Sequence, residues 1–216
     1  MNKTISIIFV LAAAGFAVSA SAQDAKAGEK KNAMCIGCHG IPGYQASYPQ
    51  VHRVPMIAGQ GAKYITAALT AYQKGERKHP TMRAIAASLS EQDIADLAAY
   101  YEQQGKGDAA AAPATVPEAP APVAALLAKG NCASCHGANF TTPLDASYPK
   151  LAGQHADYLY VALKAYQTQN NAQVGRSNAI MSGMAAPFSH KELKLLADYL
   201  GSLPGSLQTV PESRFR

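Results

Sequence analysis

The hexapeptide CIGCHG at Cys35–Gly40 recurs as CASCHG at Cys132–Gly137, and the chain contains no other cysteine. In a helical turn, positions i, i+3 and i+4 share a face. Cys35, Cys38 and His39 therefore converge on one object, and so do Cys132, Cys135 and His136. Two sulfurs and an imidazole in that triangle suit covalent haem c: the cysteines form thioethers with the porphyrin's former vinyl groups and the histidine takes the iron. A redox-active Cys-x-x-Cys pair would leave the adjacent histidine and its repetition unexplained, and no βαβ pattern surrounds either motif. A four-cysteine zinc site would have to bridge far more than the roughly 15–20 residues such sites span. The expectation is two covalently attached haem c groups.

The flanks repeat as well. IAGQGAKYITAALTAYQ (Ile57–Gln73) matches LAGQHADYLYVALKAYQ (Leu151–Gln167), and ASYP occurs at Ala46 and again at Ala146. The register of the first pair is 94 and that of the second is 100, so the first lobe has six extra residues between those points. Apolar spacing is helical throughout: Tyr64, Ala67, Ala68, Ala71 and Tyr72 share a face, as do Tyr158, Val161, Ala162, Ala165 and Tyr166. Ser90 and Ser189 each stand three residues before an acid, Asp93 and Glu192, which marks a helix start. The stretch GKGDAAAAPATVPEAPAP between Gly105 and Pro122 reads as a semi-stiff spacer.

At the N-terminus, Lys3, an apolar run from Ile5 to Val18 and Ala20-Ser21-Ala22 have the anatomy of a cleavable export signal. The run is shorter than the roughly 18 residues that span a bilayer. The expected organisation is a signal peptide over 1–22, one haem domain over 23–105, a linker over 106–122, a second haem domain over 123–203 and a tail over 204–216. Each lobe is small, and a domain of about 80 residues commonly needs a cofactor, metal or disulfide to complete its core.

The sixth iron position decides between an electron carrier and an oxygen- or peroxide-binding site. A ligand needed in both lobes should recur in register. His52, His79, His155 and His190 have no counterpart histidine and read as surface or loop residues. Anchored on Ser90 and Ser189, a register of 99 brings Met82 onto Met181, each read as lying in a loop before the last helix of its lobe. Met184 falls opposite Ile85 and reads as packing.

The duplicated Cys-x-x-Cys-His-Gly, the YPKLAGQHADYLYVALKAYQ stretch and the paired methionines together resemble the dihaem cytochrome c4 family. The resemblance covers nearly all of the chain between the leader and the tail, apart from the spacer. It implies an all-α protein of two tandem cytochrome c-like haem domains joined by an Ala/Pro-rich linker. It assigns Cys35, Cys38, His39 and Met82 to the first haem, and Cys132, Cys135, His136 and Met181 to the second. It further implies periplasmic electron transfer on the membrane face, from a quinol-oxidising cytochrome bc complex toward a haem–copper oxidase. The spacer departs from the family by its length, which puts a close contact between the two haems in question.

The formal charge of +5 falls to +4 without Lys3, and four ionised propionates would add about −4. Nucleic-acid binding then loses its main support. Lys63, Lys74, Arg77, Lys78 and Arg83 are candidates for a docking face around the first haem, against the plainer reading of solvated helix surface. The leading reading is an electron carrier without bond-making chemistry. One alternative is the cytochrome subunit of a periplasmic dehydrogenase, such as a sulfide-oxidising flavoprotein partner. A dihaem peroxidase would need an open sixth position, and the matched methionines argue against it.

Overall fold

The computed structural model describes residues 23–104 and 115–211. The expected signal peptide, most of the spacer and the last five residues lie outside the described residues. The first lobe runs α1 (Ala25–Lys31), α2 (Ala33–His39), β1 (Gln45–Ala46), β2 (His52–Arg53), α3 (Ala62–Gln73), β3 (Arg77–Lys78), α4 (Pro80–Ala87) and α5 (Glu91–Gln104). The second runs α6 (Ala121–Lys129), α7 (Ala133–His136), α8 (Ala156–Gln167), β4 (Gly175–Arg176), α9 (Ala179–Ala185) and α10 (His190–Ser202). The fold is helical, with strands of only two residues.

In each lobe the last helix is the central packing element. Leu97, Ala98 and Tyr101 of α5 bury themselves against Ala62 and Ile65 of α3. Ala197 and Leu200 of α10 meet Leu159, Phe140 and Ala152, while Leu193 and Leu196 meet Val123 and Leu126 of α6. Both of these helices start at the expected serines. Ser189 and Glu192 form a reciprocal capping box, and the Ser90 backbone and hydroxyl both donate to Asp93. The α3 residues read as sharing one face differ in burial: Tyr64 is half-buried toward the second lobe and Ala67 is exposed, while Ile65, outside that set, is buried.

Helix α1 crosses α5 at backbone contact. A Cβ on Gly28 would sit 2.1 Å from the Asp96 carbonyl oxygen, so no other residue allows this approach. Asp96 is buried beside the crossing and accepts from Lys31 Nζ at 2.7 Å, from the Asp24 backbone N–H at 3.0 Å and from Gln92 Nε2 at 2.7 Å. Burial pushes its carboxyl pKa up, but the Lys31 ammonium and the two amide donors outweigh that and hold it below the ordinary value. Its contribution to stability is therefore complete above the unfolded carboxylate range near ~3.9 and is lost as pH falls through the lower folded value. Asp96→Asn should cost about 1.5–3 kcal/mol at neutral pH, the range for hydrogen bonds to a charged group. In urea melts its deficit against the parent should shrink below about pH 4; a deficit that stays constant down to pH 2 would count against an ionised Asp96.

The spacer did not suggest two lobes in tight contact, yet they dock. β3 pairs antiparallel with β4, with Arg77 opposite Arg176 and Lys78 opposite Gly175. Between its haem motif and its AGQ stretch the first lobe is three residues longer than the second, from registers of 97 and 94, and that segment holds the β1–β2 hairpin, which reaches across: the Arg53 backbone N–H and Nε both donate to the Asp157 carboxylate, at 3.0 and 3.1 Å to Oδ2. Lys164 Nζ donates to Gln50 Oε1, and His52 stacks on Tyr158. His52 is 5% exposed, so it is a buried seam residue and not the surface residue expected. The tail crosses as well, since the Gln208 N–H donates to the Ala58 carbonyl at 3.1 Å. Of the expected linker, Val116 packs on the second lobe's core and Tyr199 Oη donates to the Pro117 carbonyl at 2.9 Å.

Candidate haem sites

Helix α2 carries the whole first motif, which places Cys35, Cys38 and His39 on successive turns of one face. In the second lobe α7 is a single turn, with Cys132 as its helical N-cap and Gly137 following at φ +80°. A Cβ at Gly137 would lie 2.0 Å from the Thr142 carbonyl oxygen, so the chain doubles back there because the residue is glycine. All four cysteines are free thiols. Cys35 and Cys132 lie against the hydrophobic cores of their lobes, and burial pushes both thiols up. Among the described residues no group of three or more His, Cys, Asp or Glu side chains is arranged to hold a bare metal ion, which leaves the zinc alternative without a site.

His39 Nδ1 lies 2.8 Å from the Pro55 carbonyl oxygen, and His136 Nδ1 lies 3.0 Å from that of Pro149. A carbonyl only accepts, so Nδ1 carries the proton in both rings and Nε2 keeps its lone pair. Burial lowers both imidazole pKa values against the opposing effect of the carbonyl. This is the arrangement a metal-ligating histidine needs: one nitrogen fixed by a backbone carbonyl, the other presented as a neutral donor. Pro55 and Pro149 correspond in the register of 94, whereas the ASYP match pairs Pro149 with Pro49. The hydrogen bonds settle the equivalence in favour of Pro55, and the ASYP of the first lobe belongs to its extra hairpin segment.

Met82 and Met181 are half-buried and lie in short capped helices, not in the loops expected. His79 Nδ1 caps α4 by accepting from the Met82 N–H at 3.4 Å, and Asn178 Oδ1 caps α9 by accepting from the Met181 N–H at 2.9 Å. Each methionine helix is tied to the preceding long helix by a matched glutamine. Gln73 Nε2 donates to the carbonyls of Ala86 and Leu89, and Gln167 Nε2 to those of Ala185 and Phe188, all at 2.7–2.9 Å. In each lobe the cysteines and histidine thus share one local segment and the histidine meets the proline directly, while the methionine arrives on a separate braced element. Met184, read as packing, is 45% exposed. Its side chain lies on the solvent side of α9, so it fills no core.

Arg77, a candidate for a docking face around the first haem, is instead half-buried in the seam between the lobes, beside Arg176, which the sequence did not single out. Arg77 and Arg176 each donate to the Tyr158 hydroxyl, at 3.3 and 3.1 Å, and Arg77 reaches Tyr64 at 3.4 Å. Burial pushes the Tyr158 phenol up, but the two guanidiniums outweigh it and draw it below its ordinary value. Neither arginine has a carboxylate partner among the described residues, and Arg77 Nε has no hydrogen-bond partner at all. Two half-buried cations facing only phenols are suited to an added anion. The propionates of a haem have that chemistry, so the donor set fits the group that the motifs imply.

The cytochrome c family profile matches residues 25–104 and again 121–204. Cytochrome c4 of Pseudomonas aeruginosa is 31% identical over 207 residues, which cover 94% of this chain and all of that protein. A thiosulfate dehydrogenase electron acceptor of Stutzerimonas stutzeri is 32% identical over 78% of each chain. The crystal structure of reduced cytochrome c4 from Pseudomonas stutzeri superimposes with a TM-score of 0.60 at 29% identity, covering 84% of this chain and all of that one. With two matched cytochrome c domains and full-length relatives, the chain belongs to the dihaem cytochrome c4 family of electron-transfer proteins.

Proposed function

We propose that the protein carries two haem c groups and passes single electrons between respiratory partners in the periplasm, reached by cleavage of the leader after Ala22. Cys35 and Cys38, and Cys132 and Cys135, hold the haems as thioethers. His39 and His136 present Nε2 to the irons, and Met82 and Met181 close the sixth positions. Bound haem supplies the one-electron ferric/ferrous couple. The chain holds the axial imidazoles in one tautomer through Pro55 and Pro149, carries the methionines on braced helices and surrounds both sites with core. The carrying observation is the matched pair of histidine–proline hydrogen bonds, one per lobe, because a structural histidine has no need to recur with its Nε2 left unengaged.

Electrons would enter from a quinol-oxidising cytochrome bc complex and leave to a haem–copper oxidase, with the protein peripheral to the membrane. A second reading, an electron acceptor for a periplasmic dehydrogenase, is favoured by the likeness to the thiosulfate dehydrogenase electron acceptor. Neither role includes bond-making chemistry by this chain.

Protein matured in a haem-attaching host should show two haem additions by intact mass and keep them on a denaturing gel. Redox titration should give two one-electron transitions, and carbon monoxide should leave the reduced spectrum almost unchanged. One haem addition or none, or rapid turnover of peroxide, would overturn the proposal. Reduction by a purified bc complex or by a thiosulfate dehydrogenase then separates the two partner readings.

A further inference from the structure

The Pro55 carbonyl and the Met56 N–H are the two ends of one peptide unit. Its oxygen accepts a hydrogen bond from the His39 Nδ1–H, and its N–H donates at 3.0 Å to Oε1 of Gln154 in the other lobe. Gln154 Nε2 returns a bond to the Met56 carbonyl at 2.8 Å. The opposite arrangement repeats it. The Pro149 carbonyl accepts from the His136 Nδ1–H, the Lys150 N–H donates to Gln60 Oε1 at 3.0 Å, and Gln60 Nε2 donates to the Lys150 carbonyl at 3.1 Å. Both glutamines are 4% exposed. Each holds a peptide edge of the other lobe at two points, and the carbonyl of that peptide is the one the other lobe's histidine bonds through Nδ1.

We infer that Gln154 and Gln60 are crossed positioning residues: Gln154 tunes the axial histidine of the first lobe, and Gln60 that of the second. The inference rests on the two-haem reading. An acceptor on a peptide N–H polarises the amide and makes its carbonyl a better acceptor in turn. A stronger Nδ1–H···O=C bond gives the imidazole more anionic character, and such outer-shell partners raise ligand basicity. A more basic axial ligand favours ferric iron, so removing the distant glutamine should raise the potential of the haem in the opposite lobe. The plainer alternative is that the glutamines only satisfy buried polar groups and hold the lobes together.

Gln154→Leu tests the two against each other in the haem-loaded protein, after mass has established two haems. The potential of the first haem should rise and its hyperfine-shifted methyl resonances should move, while those of the second haem stay. Gln60→Leu should do the reverse. Asp157→Ala removes a different bond across the same seam and should leave both haem signatures in place. Amide hydrogen exchange gives a readout independent of the haems: Met56 should exchange faster in Gln154→Leu, and Lys150 in Gln60→Leu. The inference is overturned if either glutamine variant shifts the haem of its own lobe or both haems equally, or if Asp157→Ala reproduces the shift. A chain without two haems would instead remove the proposed function, while the crossed exchange pattern would still report on the peptide contacts.

Discussion

Met181→Ala is expected to abolish the thioether–iron charge-transfer signature of the second haem, open that haem to carbon monoxide and lower its potential by on the order of 0.1 V. Axial ligands set haem potentials over a range of roughly 0.8 V, so a change of that size is modest for the loss of one. The first haem, with Met82 on α4, should keep its signature. Met184→Ala is the informative control, because the two methionines are one helical turn apart on α9. Met184 is 45% exposed, so its truncation creates no cavity and should change stability by less than about 0.5 kcal/mol. Loss of the second haem's signature in Met184→Ala, with Met181→Ala intact, would reverse the ligand assignment and weaken the register argument for Met82.

Gly28→Val is expected to be strongly destabilising, at a site away from the haems. Its Cβ would lie 2.1 Å from the Asp96 carbonyl oxygen and 2.7 Å from the Tyr100 Cβ, both on the rigid helix α5. Relief requires α1 to back away, which also lengthens the Lys31–Asp96 contact. A loss of about 3 kcal/mol is the upper range for overpacking, and in a lobe of this size that lowers its melting temperature by roughly 15 °C. Lys30→Ala, on the exposed side of the same helix, should stay within about 0.5 kcal/mol. Circular dichroism melts of both variants check this; equal melts for Gly28→Val and the parent would mean that α1 does not pack at backbone contact.

What was legible in the chain was what local chemistry dictates. The Cys-x-x-Cys-His triangles, the serine caps at Ser90 and Ser189, and the recurrence of Met82 at Met181 all depend on residues a few positions apart or on the repeat used as its own control. The seam was not legible, because its residues have no local reason to be buried. Gln60, Gln154, Arg77 and Arg176 are polar side chains in loops and two-residue strands that an isolated lobe would leave largely in water, and the opposite lobe is what buries them. The repeat held a usable signal: a glutamine kept twice inside the apolar AGQ stretch is a polar group that something buried must satisfy. His52 escaped for a related reason. Its lack of a counterpart was a sound argument against a shared ligand but said nothing about burial, and the hairpin that carries it exists in one lobe only.

The reciprocal grip of Gln60 and Gln154, with β3 antiparallel to β4, has the form that two copies of one small protein adopt around a dyad. Each lobe thus wears a face shaped for its own likeness, and joining the copies in one chain turns a concentration-dependent pairing into an intramolecular one at effective concentrations of about millimolar. Once tethered, the halves no longer have to remain alike. The β1–β2 hairpin, with Arg53 closing on Asp157, is a clasp on one side that the other does not return. It breaks the dyad, so the two halves have ceased to be interchangeable, and a pair built from either one alone would lack the clasp or its catch.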